Sequence, residues 1–261
     1  MLTVTSIQLN AWLVAFFWPF FRILALVAAA PFFGARGVPA SVKVSLAFLL
    51  TMIVAPLLPP MPDIEPASPA GLLILVQQLV IGYGMGLAVR IAFSAVEMAG
   101  HIIGLQMGLG FATFFDPQNS AQTPILGQFL GVMAMLMFLA LNGHLMIISA
   151  LVDSFNTLPV GLSQADASWQ TLVFAGSKIF TWGLLLSLPV LAALMMTNIA
   201  LAVLTRAAPQ LNIFAVGFPI TLGLGFIVLA FALPYFLPVF SSMLEYSVRI
   251  MLNMANPGGL P

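Results

Sequence analysis

Six apolar runs, each long enough to form a helix of about 20 residues and cross a hydrocarbon layer of about 30 Å, constrain this chain more than any motif it carries. They are Ile7 to Phe33, Val42 to Leu58, Gly71 to Val89, Ile125 to Leu151, Ile179 to Leu204 and Ile213 to Leu237. Only 5% of the 261 residues are charged and the mean hydropathy is +1.14, so a soluble globule would lack the polar surface to cover its core. The expected fold is an all-α membrane protein of one polytopic domain. The first ten residues carry no Lys or Arg, and the apolar run beginning among them exceeds the length of a cleaved leader's apolar core, so it reads as a retained span. The formal net charge is zero and Arg and Lys are scattered, which excludes a nucleic-acid surface. With no cysteine, disulfides, iron–sulfur clusters and cysteine-held zinc are excluded as well.

The connections divide these runs. Pro59, Pro60, Pro62 and Pro66 remove amide donors and restrict their predecessors, so residues 59–66 are read as a loop. Asp153 to Ser168, with Asn156, Pro159 and Gly161, is read as another. Arg36, Lys43, Arg90 and Arg206 alternate with Asp63/Glu65 and Asp153/Asp166 along the chain. Six spans with an external N-terminus place the basic group in the cytoplasm.

Residues 94–124 fit none of the spans. Glu97, His101, Gln106, Asp116, Gln118 and Asn119 lie among glycines and prolines, and polar groups at membrane depth must face protein or water. The expectation is a separate re-entrant or pore-lining element opened by Ser94 and Glu97 as a capping box. At about 100° per residue, Glu97, Gly100, His101, Gly104 and Gly108 share one helix face, and Gln106 projects from the opposite side. Four-residue glycine spacing admits another backbone, from this chain or from a neighbour. Gly108 to Gly110 and Asp116 to Asn119 favour turns. Arg22, inside FWPFFRILALVAAAPFF, must pair with a carboxylate or with carbonyls, or else snorkel to an interface; Glu97 is the carboxylate candidate. Catalytic motifs are absent: His101 and His144 belong to no HExxH, and neither a GxSxG elbow nor a phosphate loop occurs. Asp63 and Glu65 lie in a proline-rich solvated loop, so neither an enzyme nor a cofactor is expected.

Five strings, in order and with matching spacing, carry a family resemblance: Phe17 to Leu26, Ala30-Pro31, Gly104 to Ala112 with Asp116-Pro117, Phe138 to Leu145, and Arg206 to Phe214. Together they resemble the FliR family, the R subunits of the bacterial flagellar type III export gate. The resemblance implies a place in the inner membrane at the flagellar basal body. The implied partners are P and Q subunits, other export apparatus proteins and unfolded exported proteins. It implies kinked helical hairpins, with residues 1–178 like a P subunit and 179–261 like a Q-type hairpin with a C-terminal tail. It also implies a loop of about residues 106–123 that plugs a central channel. Gly108 and Gly110 would let that loop swing, Met107, Phe111, Phe114 and Phe115 would supply apolar bulk, and Gln106, Asp116 and Pro117 would complete it. Arg206, Pro209, Gln210 and Asn212 are read either as the turn of the Q-like hairpin or as a plain polar connector. A homologous virulence secretion subunit and a small-solute permease are the alternatives. A permease usually shows an internal repeat, and none is found.

Overall fold

The computed structural model describes residues 6–34, 37–111, 125–161, 169–210 and 213–254. Among these the fold is all-α, with no strand. The helices are α1 (Ser6–Ala29), α2 (Ala40–Val54), α3 (Pro69–Gln106), α4 (Ile125–Ala140), α5 (Gly143–Thr157), α6 (Trp169–Gly176), α7 (Lys178–Ala207) and α8 (Ile213–Asn253). Among the described residues five stretches are long and apolar enough to cross a membrane, and α4 with α5 makes a sixth if that bent pair is one span. The six runs read from the sequence are therefore recovered as five or six, with altered ends.

The proline linker is non-helical, as expected. Asp63 and Glu65 point to solvent, while Met61 and Ile64 pack against the buried cluster of Val14, Trp18 and Ile74. Ser68 closes the linker. Its hydroxyl donates to Glu65 O at 2.6 Å and accepts from Gly71 N at 3.0 Å, and Pro69 occupies the first helical position, where a missing amide costs nothing.

Three expectations are corrected. Residues 94–106 are not a separate element and Ser94 does not begin a helix, because α3 runs unbroken for 38 residues. Val89-Arg-Ile-Ala-Phe-Ser94 contains neither glycine nor proline, so nothing interrupts the hydrogen-bond ladder; serine and glutamate three apart are simply neighbours on a helix face. Asp153 and Asn156 lie in α5 rather than in a loop. They occupy its exposed face, while Ile147, Ala150, Leu151, Ser154 and Phe155 fill the buried one at helical spacing. Finally, the run from Ile125 to Leu151 is broken at Leu141-Asn142, where Asn142 takes the left-handed conformation (φ 54°) that asparagine tolerates better than most residues. Pro19, Pro189, Pro219, Pro234 and Pro238 all lie inside continuous helices.

The chain clusters into two compact units, Met1–Ile91 with Asn142–Gly176 and Leu244–Pro261, and Ala92–Leu141 with Ser177–Met243. In the first, α1 and α3 meet closely, since a Cβ at Gly86 would stand 2.5 Å from Ala29 Cβ. In the second, the Phe93 ring makes edge-on contacts with Phe138 and Phe240 at 5.5 and 5.4 Å. There Leu185, Leu186 and Pro189 of α7 share a crevice with Val228, Phe231, Tyr235 and Val239 of α8. Residues 185–189 precede and residues 228–239 follow the Pro209-Gln210 turn at similar chain distances, so α7 and α8 form an antiparallel hairpin.

Candidate functional site

Among the described residues, two constellations gather the polar side chains singled out in the apolar segments, one in each unit. The first is centred on Arg22, whose side chain is fully buried. Its Nε donates to Gln78 Oε1 at 2.7 Å, Nη1 to Ser154 O at 3.0 Å and Ser154 Oγ at 3.2 Å, and Nη2 to Leu158 O at 2.8 Å. The guanidinium carbon lies 4.1 Å from the centre of the Phe155 ring. Ser154 and Leu158 mark the C-terminal end of α5, where unsatisfied carbonyls concentrate the negative pole of the helix dipole. The cation is thus balanced by a helix end, an amide oxygen and an aromatic face. Of the alternatives, carbonyl pairing holds and snorkelling does not. Glu97 is replaced as partner by Gln78, Ser154 and Leu158, which were not singled out in the sequence. Gln77-Gln78, the sole polar pair within the third apolar run, was the available signal.

The second constellation is the end of α3. The shared face of Glu97, Gly100, His101 and Gly104 is directed at α4. A Cβ at Gly100 would stand 2.6 Å from Gly127 Cα and 2.8 Å from Leu126 O, both backbone atoms that cannot yield. One at Gly127 would strike the His101 imidazole, and one at Gly131 would meet Glu97 Cγ at 3.3 Å. Glycines of α3 and α4 therefore bring the two backbones together, which is packing within this chain. Glu97 and His101 are exposed, not buried as expected, because their side chains lie over Gly131 and Gly127, which offer nothing to cover them. Gly104 is less constrained, with its nearest neighbour, Leu126 Cβ, at 3.6 Å from a built Cβ.

Beyond Gln106, which is half-buried, α3 stops. Met107 N still donates to Ile103 O at 2.9 Å, but Gly108 N donates to Leu105 O at 3.1 Å and Gly108 takes φ 85°. Only glycine adopts that value without strain, so the helix is terminated by the residue type the sequence supplies. Leu109 to Phe111 form one 3-10 turn. Met107, expected as bulk in the loop, is instead fully buried against Gly225 of α8. Gly127, Gly131 and Gly225 were not singled out in the sequence, although the four-residue spacing of the first two was visible. Phe114, Phe115, Asp116 and Pro117 lie outside the described residues. Arg206, in the last turn of α7, and Pro209 and Gln210 beyond it are exposed, and Asn212 lies outside the described residues. Among the described residues no group of three His, Asp or Glu side chains is gathered to hold a metal.

Comparison with known proteins gives a consistent result. The profile of bacterial export proteins, family 1, matches residues 13–247. The chain is 43% identical to the flagellar biosynthetic protein FliR of Pectobacterium carotovorum subsp. carotovorum over 261 residues, covering 98% of this chain and 100% of that protein. It is 46% identical to FliR of Escherichia coli strain K12 over 239 residues, 91% of each chain, and 30% identical to FliR of Bacillus subtilis strain 168 over 92% of this chain and 94% of that protein.

Proposed function

This chain belongs to the family 1 bacterial export proteins, the family of the flagellar biosynthetic protein FliR, and from that premise we propose that it is the R-type subunit of the flagellar type III export gate. At the coarser level it is a membrane-embedded component of the flagellar export apparatus. The finer reading is that it joins P and Q subunits around a channel for unfolded exported proteins, in the inner membrane at the flagellar basal body. Residues 106–123 help close that channel. We assign it no catalysis and no cofactor.

The observation that carries this reading is similarity to FliR proteins at 43–46% identity over 91–98% of the chain. Geometry supports it. At 1.5 Å per residue the 38-residue α3 and the 41-residue α8 are about 57 and about 62 Å long, roughly twice a hydrocarbon core of about 30 Å. Helices of that length suit an assembly that rises out of the bilayer. Large side chains such as Phe180, Met196, Ile199, Phe231 and Tyr235 are exposed on α7 and α8, apolar surface suited to companion subunits as well as to lipid. The α7–α8 hairpin supports a Q-like second part, residues 179–261, after a P-like first part, residues 1–178. Within the loop, Gly110 keeps backbone freedom and Phe111, Phe114 and Phe115 supply the apolar bulk that excludes water by dewetting. Met107 anchors the loop instead of filling the channel.

The test is co-expression of the tagged chain with its P and Q partners, followed by native mass spectrometry. A discrete particle holding one copy of this chain among several partners is expected. A detergent-stable monomer or homo-oligomer that excludes the partners would overturn the reading in favour of a permease.

A further inference from the structure

α4 has two apolar faces, and the chain covers only one of them. Leu126, Leu130, Ala134, Met137 and Phe138 are buried, whereas Ile125, Phe129, Val132, Leu136 and Leu139 are exposed, Ile125 at 74% and Val132 at 61%. The exposed residues stand alternately four and three positions apart, the period of about 3.5 residues at which side chains of one helix interlock with those of another. Beside that seam lies an exposed stripe of α3, made of Glu97, His101 and Leu105. Glu97 sits over Gly131 and His101 over Gly127, so this end of α3 runs antiparallel to α4 and brings Glu97 next to the middle of the seam. Among the described residues neither Glu97 nor His101 has a hydrogen-bond or ion-pair partner.

Lipid suits the apolar seam but not a carboxylate and an imidazole set against its middle. Water suits Glu97 and His101 but not a row of exposed Ile, Phe, Val and Leu side chains. A protein helix suits both, with apolar knobs for the seam and a basic side chain for Glu97, whose carboxylate offers acceptors and attracts a cation. No Lys or Arg occurs between Ile91 and Leu141, so a second copy seated face to face brings no cation to this surface, and neither do residues 112–124 of the same chain. We infer that the α3–α4 face, from Glu97 to Leu105 and from Ile125 to Leu139, seats an apolar helix of a companion subunit that places a Lys or Arg against Glu97. The inference rests on the heteromeric assembly proposed above, and it names the surface and the charge by which one companion is held.

The test uses the full-length chain assembled with its P and Q partners, with Val132 replaced by the photo-reactive p-benzoylphenylalanine. Irradiation is expected to join that position to one helix of a companion subunit, and peptide mapping to find a Lys or Arg close by on the same helix. Glu97→Lys should cut the cross-link yield by about fivefold or more through like-charge repulsion. Glu97→Gln should cut it less, because the amide keeps an acceptor, and changing the mapped basic residue to Glu should restore the yield of Glu97→Lys. A cross-link to lipid, to a second copy or to residues 112–124 of the same chain would overturn the inference, as would a mapped helix without a basic residue or a Glu97→Lys yield equal to the parent. In a chain without cysteine, Val132→Cys gives a single thiol, and its rapid reaction with an aqueous maleimide in the assembled complex would mark a wet face and overturn the inference too. Native mass spectrometry of the same sample separates the two readings. A heteromeric particle with a lipid cross-link leaves the assembly standing and removes only this face, whereas failure to form any heteromeric particle removes both.

Discussion

Arg22 Nε lies 2.7 Å from Gln78 Oε1, and the same guanidinium reaches two backbone carbonyls at the end of α5. An arginine buried without a carboxylate is thereby made part of the packing of three helices. Breaking such a set leaves a buried cation or orphaned carbonyls.

Arg22→Leu is accordingly expected to destabilise the first unit by about 3 kcal/mol or more. Arg22→Lys should lose nearly as much, because an ammonium cannot reproduce the planar fork that meets Gln78, Ser154 and Leu158 together. Thermal unfolding in detergent followed by tryptophan fluorescence measures both, and becomes local to the adjoining core when Trp12, Trp169 and Trp182 are replaced by Phe so that Trp18 alone reports. A lysine variant as stable as the parent would show that charge alone matters there.

Gly100→Ala and Gly104→Ala separate close packing from general helix preference. Alanine favours a helix by about 1 kcal/mol over glycine, so on propensity alone both are stabilising. At Gly100 the new methyl meets Gly127 Cα and Leu126 O, whereas at Gly104 it meets only ordinary contacts. The Gly100 variant should fall in stability and in assembly yield with P and Q partners, and the Gly104 variant should match or exceed the parent.

Gly108→Ala is expected to cost about 1–2 kcal/mol, since its φ of 85° places an added Cβ against the following carbonyl. Gly108→Asn should recover much of that loss, because asparagine visits the left-handed region more readily than alanine. The ordering Gly, Asn, Ala in secretion rate at equal protein level is the readout. Alanine equal to glycine would show that α3 continues past Met107 without penalty.

How far the sequence reveals this arrangement differs by element. Hydropathy finds the apolar helices because a run of about 20 nonpolar residues has few other uses. The proline linker is legible for an equally local reason. The length of α3 is not, since Arg90, Ser94 and Glu97 look like an end to a span while posing no obstacle to a helix. Asp153 and Asn156 mislead in the same way: polarity suggests a loop, and only the spacing of Ile147, Ala150, Leu151, Ser154 and Phe155 reveals a helix with a wet face. The partners of Arg22, between 56 and 136 residues away, depend on tertiary packing and leave no short-range trace. Met107 was legible as important but not in its direction, because a methionine that fills a channel and one that fills a glycine notch look alike in sequence.

Gly110→Arg bears on closure. A built Cβ at Gly110 already stands 3.2 Å from Leu105 Cδ2, so a long cationic side chain displaces the 3-10 turn and adds charge to the segment proposed to exclude ions. The variant is expected to leak ions and slow growth on expression with its partners, with Gly110→Ala close to the parent. Equal leakage from both would point to a general folding defect.

The most direct single measurement is the ion conductance of membranes carrying the assembled P, Q and R-type subunits, with this chain intact or lacking residues 112–120. The account predicts a tight baseline for the intact complex and a conductance at least tenfold higher after deletion, at equal assembly yield. Equal conductance from two fully assembled complexes would contradict the assignment of 106–123 as the closing segment.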